Sequence, residues 1–151
     1  MSQTVVIAVS IIVIGTAAAG SARQQLQRIN PQDLNRPQTY SHIVKAGNLL
    51  FIAGQVGTTG DGKVVGPGMK EQTGQVLQNL QAALKSQGLD VSHVAKITIY
   101  TTSISEFRAE AVADLRAKFF GTNRPASTLV QIQQLASPEY KVEIEAIAVA
   151  P

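Results

Sequence analysis

The 151-residue chain has no cysteine, no tryptophan and two histidines, with three tyrosines and four phenylalanines as its other aromatics. Without cysteine there is no disulfide, no thiolate nucleophile and no cysteine-held zinc. His42 and His93 stand alone in sequence, giving neither a metal triad nor the partners of a serine triad. No metal or other cofactor is therefore expected. Charged residues make up 15% of the chain, and its lysines and arginines are scattered from Arg23 to Lys141. A nucleic-acid surface needs basic side chains converging on one face, interleaved with stacking aromatics. Neither is present, so no nucleic-acid partner is expected.

What the chain does have is aliphatic: 44% of it is apolar while aromatics reach only 5%. That composition gives one globular domain with a core of Val, Ile, Leu and Ala. The first notable run, Val5 to Ala19, is uncharged and ends in the small residues Gly20, Ser21 and Ala22. It is short for the ~20 apolar residues of a membrane span and has the small-x-small ending of a signal peptide. Against this, no Lys or Arg precedes it and Arg23 and Arg28 follow, which fits an uncleaved anchor with the domain on the cytoplasmic side. A buried strand fused to the domain is the third reading. Residues 1–22 are thus read as an apolar signal peptide or anchor. The expected location is exported or periplasmic, with membrane-anchored or cytoplasmic as alternatives, and a membrane is a partner only through an uncleaved segment. Residues 23–39, rich in Gln, Asn, Arg and Pro, read as a linker, and residues 40–151 as the domain.

Within the domain, Tyr40–Ala46 and Leu49–Ala53 are β-prone runs around Gly47-Asn48, a pair suited to a tight hairpin. The glycines from Gly54 to Gly62 fit neither a P-loop nor a dinucleotide fingerprint and read as turns, with Lys63–Val65 as a short edge strand. Val76, Leu77, Leu80, Ala83 and Leu84 keep helical spacing, and Gly88 follows where a cap belongs. A strand at residues 94–102 leads to Ser103-x-x-Glu106, a capping-box pattern. Phe107, Ala111, Val112, Leu115 and Phe119 then predict a single helix ending at Gly121. Strands at 128–132 and 140–149 close the chain. In the second, Val142, Ile144, Ala146 and Ala148 share one face, while Glu143 and Glu145 share the other. The order predicts an α+β domain, an antiparallel sheet covered on one face by two helices, with the other face apolar enough to need a partner.

The stretch Arg124-Pro-Ala-Ser-Thr-Leu-Val through Val142-Glu-Ile-Glu-Ala-Ile-Ala148 resembles the signature of the reactive intermediate deaminase (RidA, YjgF-like) family. Gly47-Asn-Leu-Leu-Phe-Ile-Ala-Gly-Gln55 is similar to its G-N-hydrophobic-S-G-Q strand. The segment from Gln72 to Leu84 resembles its Q-x-x-x-x-L-x-N helix, and Phe119-Phe120 its double phenylalanine. The resemblance spans about Asn30 to Ala150. It implies a chorismate-mutase-like fold, a homotrimer, and a cleft between subunits in which 2-imino and 2-enamino acids are hydrolysed to 2-keto acids and ammonia.

The same resemblance makes Tyr40 and Glu143 catalytic, the tyrosine lining the cleft and the glutamate orienting the attacking water. It makes Ser127, Ala53, Gly54 and Leu129 contacts to the substrate. Ser127 stands where the family carries an arginine that forks onto the substrate carboxylate, a contact a hydroxyl cannot copy. Ala53 replaces a serine, and Ala113 stands where an asparagine is expected. Arg124, Arg36 and His42 lie close enough in sequence to offer the missing charge, although strand alternation sends 124 and 127 to opposite faces. The expectation is a divergent family member binding a small imine, enamine or carbonyl compound, with deaminase activity possible. A non-catalytic ligand-binding or protein-interaction trimer is the alternative, and an endoribonuclease or translation inhibitor the second.

Overall fold

In the computed structural model, which describes residues 25–151, six strands and three α-helices form. In chain order they are β1 (Gln27–Ile29), β2 (Ile43–Ala46), β3 (Leu49–Val56), α1 (Met69–Lys85), β4 (Val94–Thr101), α2 (Ile104–Arg108), α3 (Glu110–Phe120), β5 (Ala126–Gln131) and β6 (Val142–Val149). The segment read as signal peptide or anchor lies outside the described residues. Among those described, no helix is long and apolar enough to cross a membrane.

The strands make one sheet in the order β1-β2-β3-β6-β4-β5. β6 runs antiparallel to both its neighbours, β3 and β4, and so sits at the centre of the fold. The α+β expectation holds with three differences. The sheet is mixed, because β5 lies parallel to β4; parallel neighbours need a crossover connection, which α2 and α3 supply here. The single helix expected after β4 is two, broken where Ala109 adopts an extended ψ of 143°. The segment read as a linker supplies edge strand β1, paired with β2 through Ile29 and Ile43, and buries Leu34 in the core. Asn30 holds that edge in place, its Oδ1 accepting from the His42 amide at 2.9 Å.

The turn residues act as read. Ala46 pairs with Leu49, so Gly47-Asn48 is a two-residue hairpin turn; only Gly47 takes a positive φ, 62°. Gly88 and Gly121, both at positive φ, stand after α1 and α3, where a Cβ would strain the backbone. Ser103 accepts from the Glu106 amide, the forward half of the capping box. Lys63–Val65 contributes only a bridge between Thr58 and Val64.

One face of the sheet packs under the helices. Ile43, Leu50, Val76, Leu80, Phe107 and Ile144 are among the buried side chains there, each contributing roughly 1.5–3 kcal/mol on burial. Among the described residues, no helix lies on the opposite face. Leu49, Phe51, Val130 and Val149 are exposed, Phe51 by 44%.

Candidate functional site

Strand alternation puts Val142, Ile144, Ala146 and Ala148 of β6 into the core and turns Glu143 away from it. What lies opposite Glu143 is set by an irregularity in β3. Its register to β6 shifts between Ile52 and Gln55, which leaves Ala53 and Gly54 in a bulge. The Glu143 carboxylate lies over Gly54 so closely that a Cβ there would stand 1.8 Å from Oε1. Glycine at 54 is thus the space in which the catalytic candidate sits.

Around this carboxylate opens a cavity of about 430 Å³. Tyr40, Ala53, Gly54 and Glu143, four of the six residues singled out from sequence, line it together with Asn35, His42, Gln55 and Tyr140. Burial, and then the charge of Glu145, raise the Glu143 pKa above the ordinary carboxylate value. Burial also raises that of Tyr40, with help from Glu143 and Tyr140 and against a hydrogen bond from Asn35. The cavity therefore holds a carboxylate that takes up a proton more readily than one in water, beside a phenol that keeps its own.

Beneath these groups lies a polar frame whose supporting role no sequence pattern assigns. His42 is buried, with Nε2 2.7 Å from the Asn35 carbonyl oxygen and Nδ1 3.3 Å from the Gln55 amide nitrogen. An acceptor at Nε2 and a donor at Nδ1 select the tautomer protonated on Nε2. The same Gln55 nitrogen donates to the Ala53 carbonyl at 2.8 Å, pinning the bulge. Tyr40 stacks edge-on against His42 at 5.7 Å, which fixes the phenol. On α1, buried Gln72 donates to the carbonyls of Gly66 and Glu139 and accepts from the Lys141 amide, tying down the entry to β6. Asn79 donates to the carbonyls of Val56 and Thr58 at the exit of β3. The polar residues of the Q-x-x-x-x-L-x-N pattern thus serve the backbone, and the signal for that role is their place on the buried stripe of an amphipathic helix.

Ser127 is elsewhere. It pairs with Ile97 across β4 and β5 and lines a second cavity of about 330 Å³ between α3 and β5, together with Ala113, Arg116, Phe120 and Arg124. None of these residues lines the first cavity. Arg124 and Ser127 share this second cavity, contrary to the alternation argument, because β5 begins only at Ala126 and alternation does not extend back to 124. Leu129 lines neither cavity and packs against the core beside Ile99. No cluster of three or more metal-ligating side chains occurs among the described residues.

Comparisons with known proteins bear on this arrangement directly. The sequence model of the Endoribonuclease L-PSP family matches residues 32–150. A RutC family protein of Pyrococcus horikoshii is 38% identical over 110 residues, covering 72% of this chain and 85% of its own. Human 2-iminobutanoate/2-iminopropanoate deaminase is 32% identical over 111 residues, covering 73% and 79%. Among solved structures, E. coli TdcF with bound serine superposes with a TM-score of 0.72 at 25% identity, covering 82% of this chain and 98% of that one. The chain belongs to the Endoribonuclease L-PSP family, which includes the RutC and reactive intermediate deaminase proteins that its strand and helix motifs resemble.

Proposed function

We propose that the protein hydrolyses small 2-imino or 2-enamino acids to 2-keto acids and ammonia, in clefts between three identical subunits. The observation that carries this reading is the Glu143 carboxylate, seated over Gly54 in a cavity shared with Tyr40 and pushed toward protonation by burial. A carboxylate so placed accepts a proton from water as the water oxygen bonds to the imine carbon. Glu143 passes that proton to the imine nitrogen, giving the carbinolamine; as its C–N bond breaks, the hydroxyl proton moves through Glu143 to the departing nitrogen, leaving the ketone, ammonia and a free carboxylate. Substrate and water enter, keto acid and ammonia leave, and no oxidant is required. The name of the human relative supports the substrate class, and the serine in TdcF supports a small molecule bearing a carboxylate.

The uncovered sheet face and the division of the candidate residues between two cavities support the trimer. In the proposed assembly the second cavity, with Ser127, comes to the first from a neighbouring chain. Purified full-length protein is expected to accelerate ammonia release from an imino acid generated in situ by an amino-acid oxidase, and Glu143→Ala to abolish the acceleration. A rate equal to the buffer control for the natural protein rules the activity out. A second reading, a trimer that binds such compounds without turning them over, is favoured by one observation, the hydroxyl at Ser127. Activity that appears only in Ser127→Arg would establish it.

A further inference from the structure

The second cavity is cationic and the first is acidic. Its charged lining residues are Arg116 and Arg124, with no carboxylate among the lining side chains, whereas Glu143 is the charged group of the first. Arg116 is the better placed of the two arginines. It projects from α3 so that Cζ lies 4.4 Å above the ring of Phe107, a side chain with no exposure to solvent. That contact fixes the plane of the guanidinium. Its Nε is buried and meets no hydrogen-bond acceptor. No ion pair to Arg116 occurs among the described residues. Burial, and then the charge of a second cation, Arg108, lower its pKa.

An arginine used only to cover apolar surface keeps its nitrogens in water or against an acid. Arg116 does neither at Nε, so a donor is held ready with nothing to donate to. A planar carboxylate supplies the missing acceptor, and its two oxygens fit the guanidinium fork. Ala113, Ala117, Phe120 and Pro125 wall the space beside it, which suits a short aliphatic chain attached to that carboxylate.

We propose that Arg116 is the carboxylate-binding residue of this protein, taking from α3 the task that Ser127 on β5 cannot perform. The proposal deepens, and rests on, the reading of the two cavities as halves of one intersubunit site for 2-imino acids. Arg124, exposed at the rim, adds positive potential without forming the fork.

The test is binding without turnover. The full chain is titrated calorimetrically with 2-oxobutanoate and with its neutral amide. The natural protein is expected to bind the acid in preference to the amide. Arg116→Gln is expected to weaken acid binding by about tenfold or more, Arg116→Lys by less, and Arg124→Gln by under about threefold, since a charge-assisted fork exceeds a point charge or a rim charge. Thermal melts confirm that each variant is folded; if Arg116→Gln is not, the comparison of Arg116→Lys with Arg124→Gln decides. Unchanged acid affinity in folded Arg116→Gln, a larger loss in Arg124→Gln, or a natural protein that does not prefer the acid each overturns the assignment. Arg116-dependent binding with no ammonia release would sink the activity and leave the assignment standing. Ammonia release with an unchanged KM in Arg116→Gln would do the reverse.

Discussion

The two faces of β6 divide the labour of the molecule. Toward the helices, Val142, Ile144, Ala146 and Ala148 are buried; toward the other side, Glu143 and Glu145 stay half-exposed, and Glu143 reaches into the 430 Å³ cavity. Consecutive residues on one strand thus face a dry, packed interior and an open, polar cleft. The lesson is that the site's geometry is inherited from the core. The same backbone hydrogen bonds that register β6 between β3 and β4 also set the height of Glu143 over the bulge. A strand with only one of these faces would make either a fold or a ligand site, and this one makes both.

That division can be broken residue by residue. Ile144→Ala acts on the packed face, where the side chain is fully buried, and is expected to cost about 3–4 kcal/mol in urea unfolding through lost burial plus the cavity left behind. Gly54→Ala acts on the other face. The new methyl would overlap the end of the Glu143 side chain back to Cγ; because that side chain can swing aside, the stability cost should stay near the low end for overpacking, about 1–2 kcal/mol. Ammonia release should nonetheless fall to the level of Glu143→Ala. If Gly54→Ala instead unfolds the protein as badly as Ile144→Ala, the two faces are not separable.

The smallest effect expected is that of Glu143→Gln on stability. Burial raises this carboxyl's pKa in the fold, so its ionisation opposes folding. The penalty is absent below the unfolded value and grows as pH rises through the folded one. Discounted for the group's partial exposure, the variant should melt about 1–2 °C above the natural protein at neutral pH. The gap should close below about pH 4. Equal melting temperatures across the whole range would mean that the cleft is wetter than its lining implies.

The parts of the fold legible in the sequence were those with local punctuation. Gly47, Gly88 and Gly121 mark a hairpin and two helix ends because each position needs a positive φ. The break between α2 and α3 was invisible because Phe107, Val112 and Phe119 keep the helical period across it, and a single extended residue, Ala109, leaves no trace in composition. The parallel placement of β5 and the insertion of β6 between β3 and β4 are decisions of long-range pairing, which strand patterns do not encode. β1 escaped notice because its three residues are mostly polar and its neighbours include Asn30 and Pro31.

At the site, Glu143 was legible from alternation and from the family motif alike. Arg116, the proposed carboxylate ligand, was not, since no motif contains it. The available signal was its position one turn beyond Val112 and beside Leu115, an arginine on the stripe of α3 that faces inward. The bulge that seats Glu143 showed in sequence only as Gly54.

Of the six strands, β6 is the last to be synthesised, yet it belongs between β3 and β4, both made long before. During translation those two wait with their inner edges unpaired, and the nascent sheet remains two separate ribbons. The last of these strands to emerge is therefore the keystone: it joins the ribbons, completes the interior and delivers Glu143 in one event. A chain cut short before residue 142 would leave both ribbons unpaired along their inner edges and would lack Glu143.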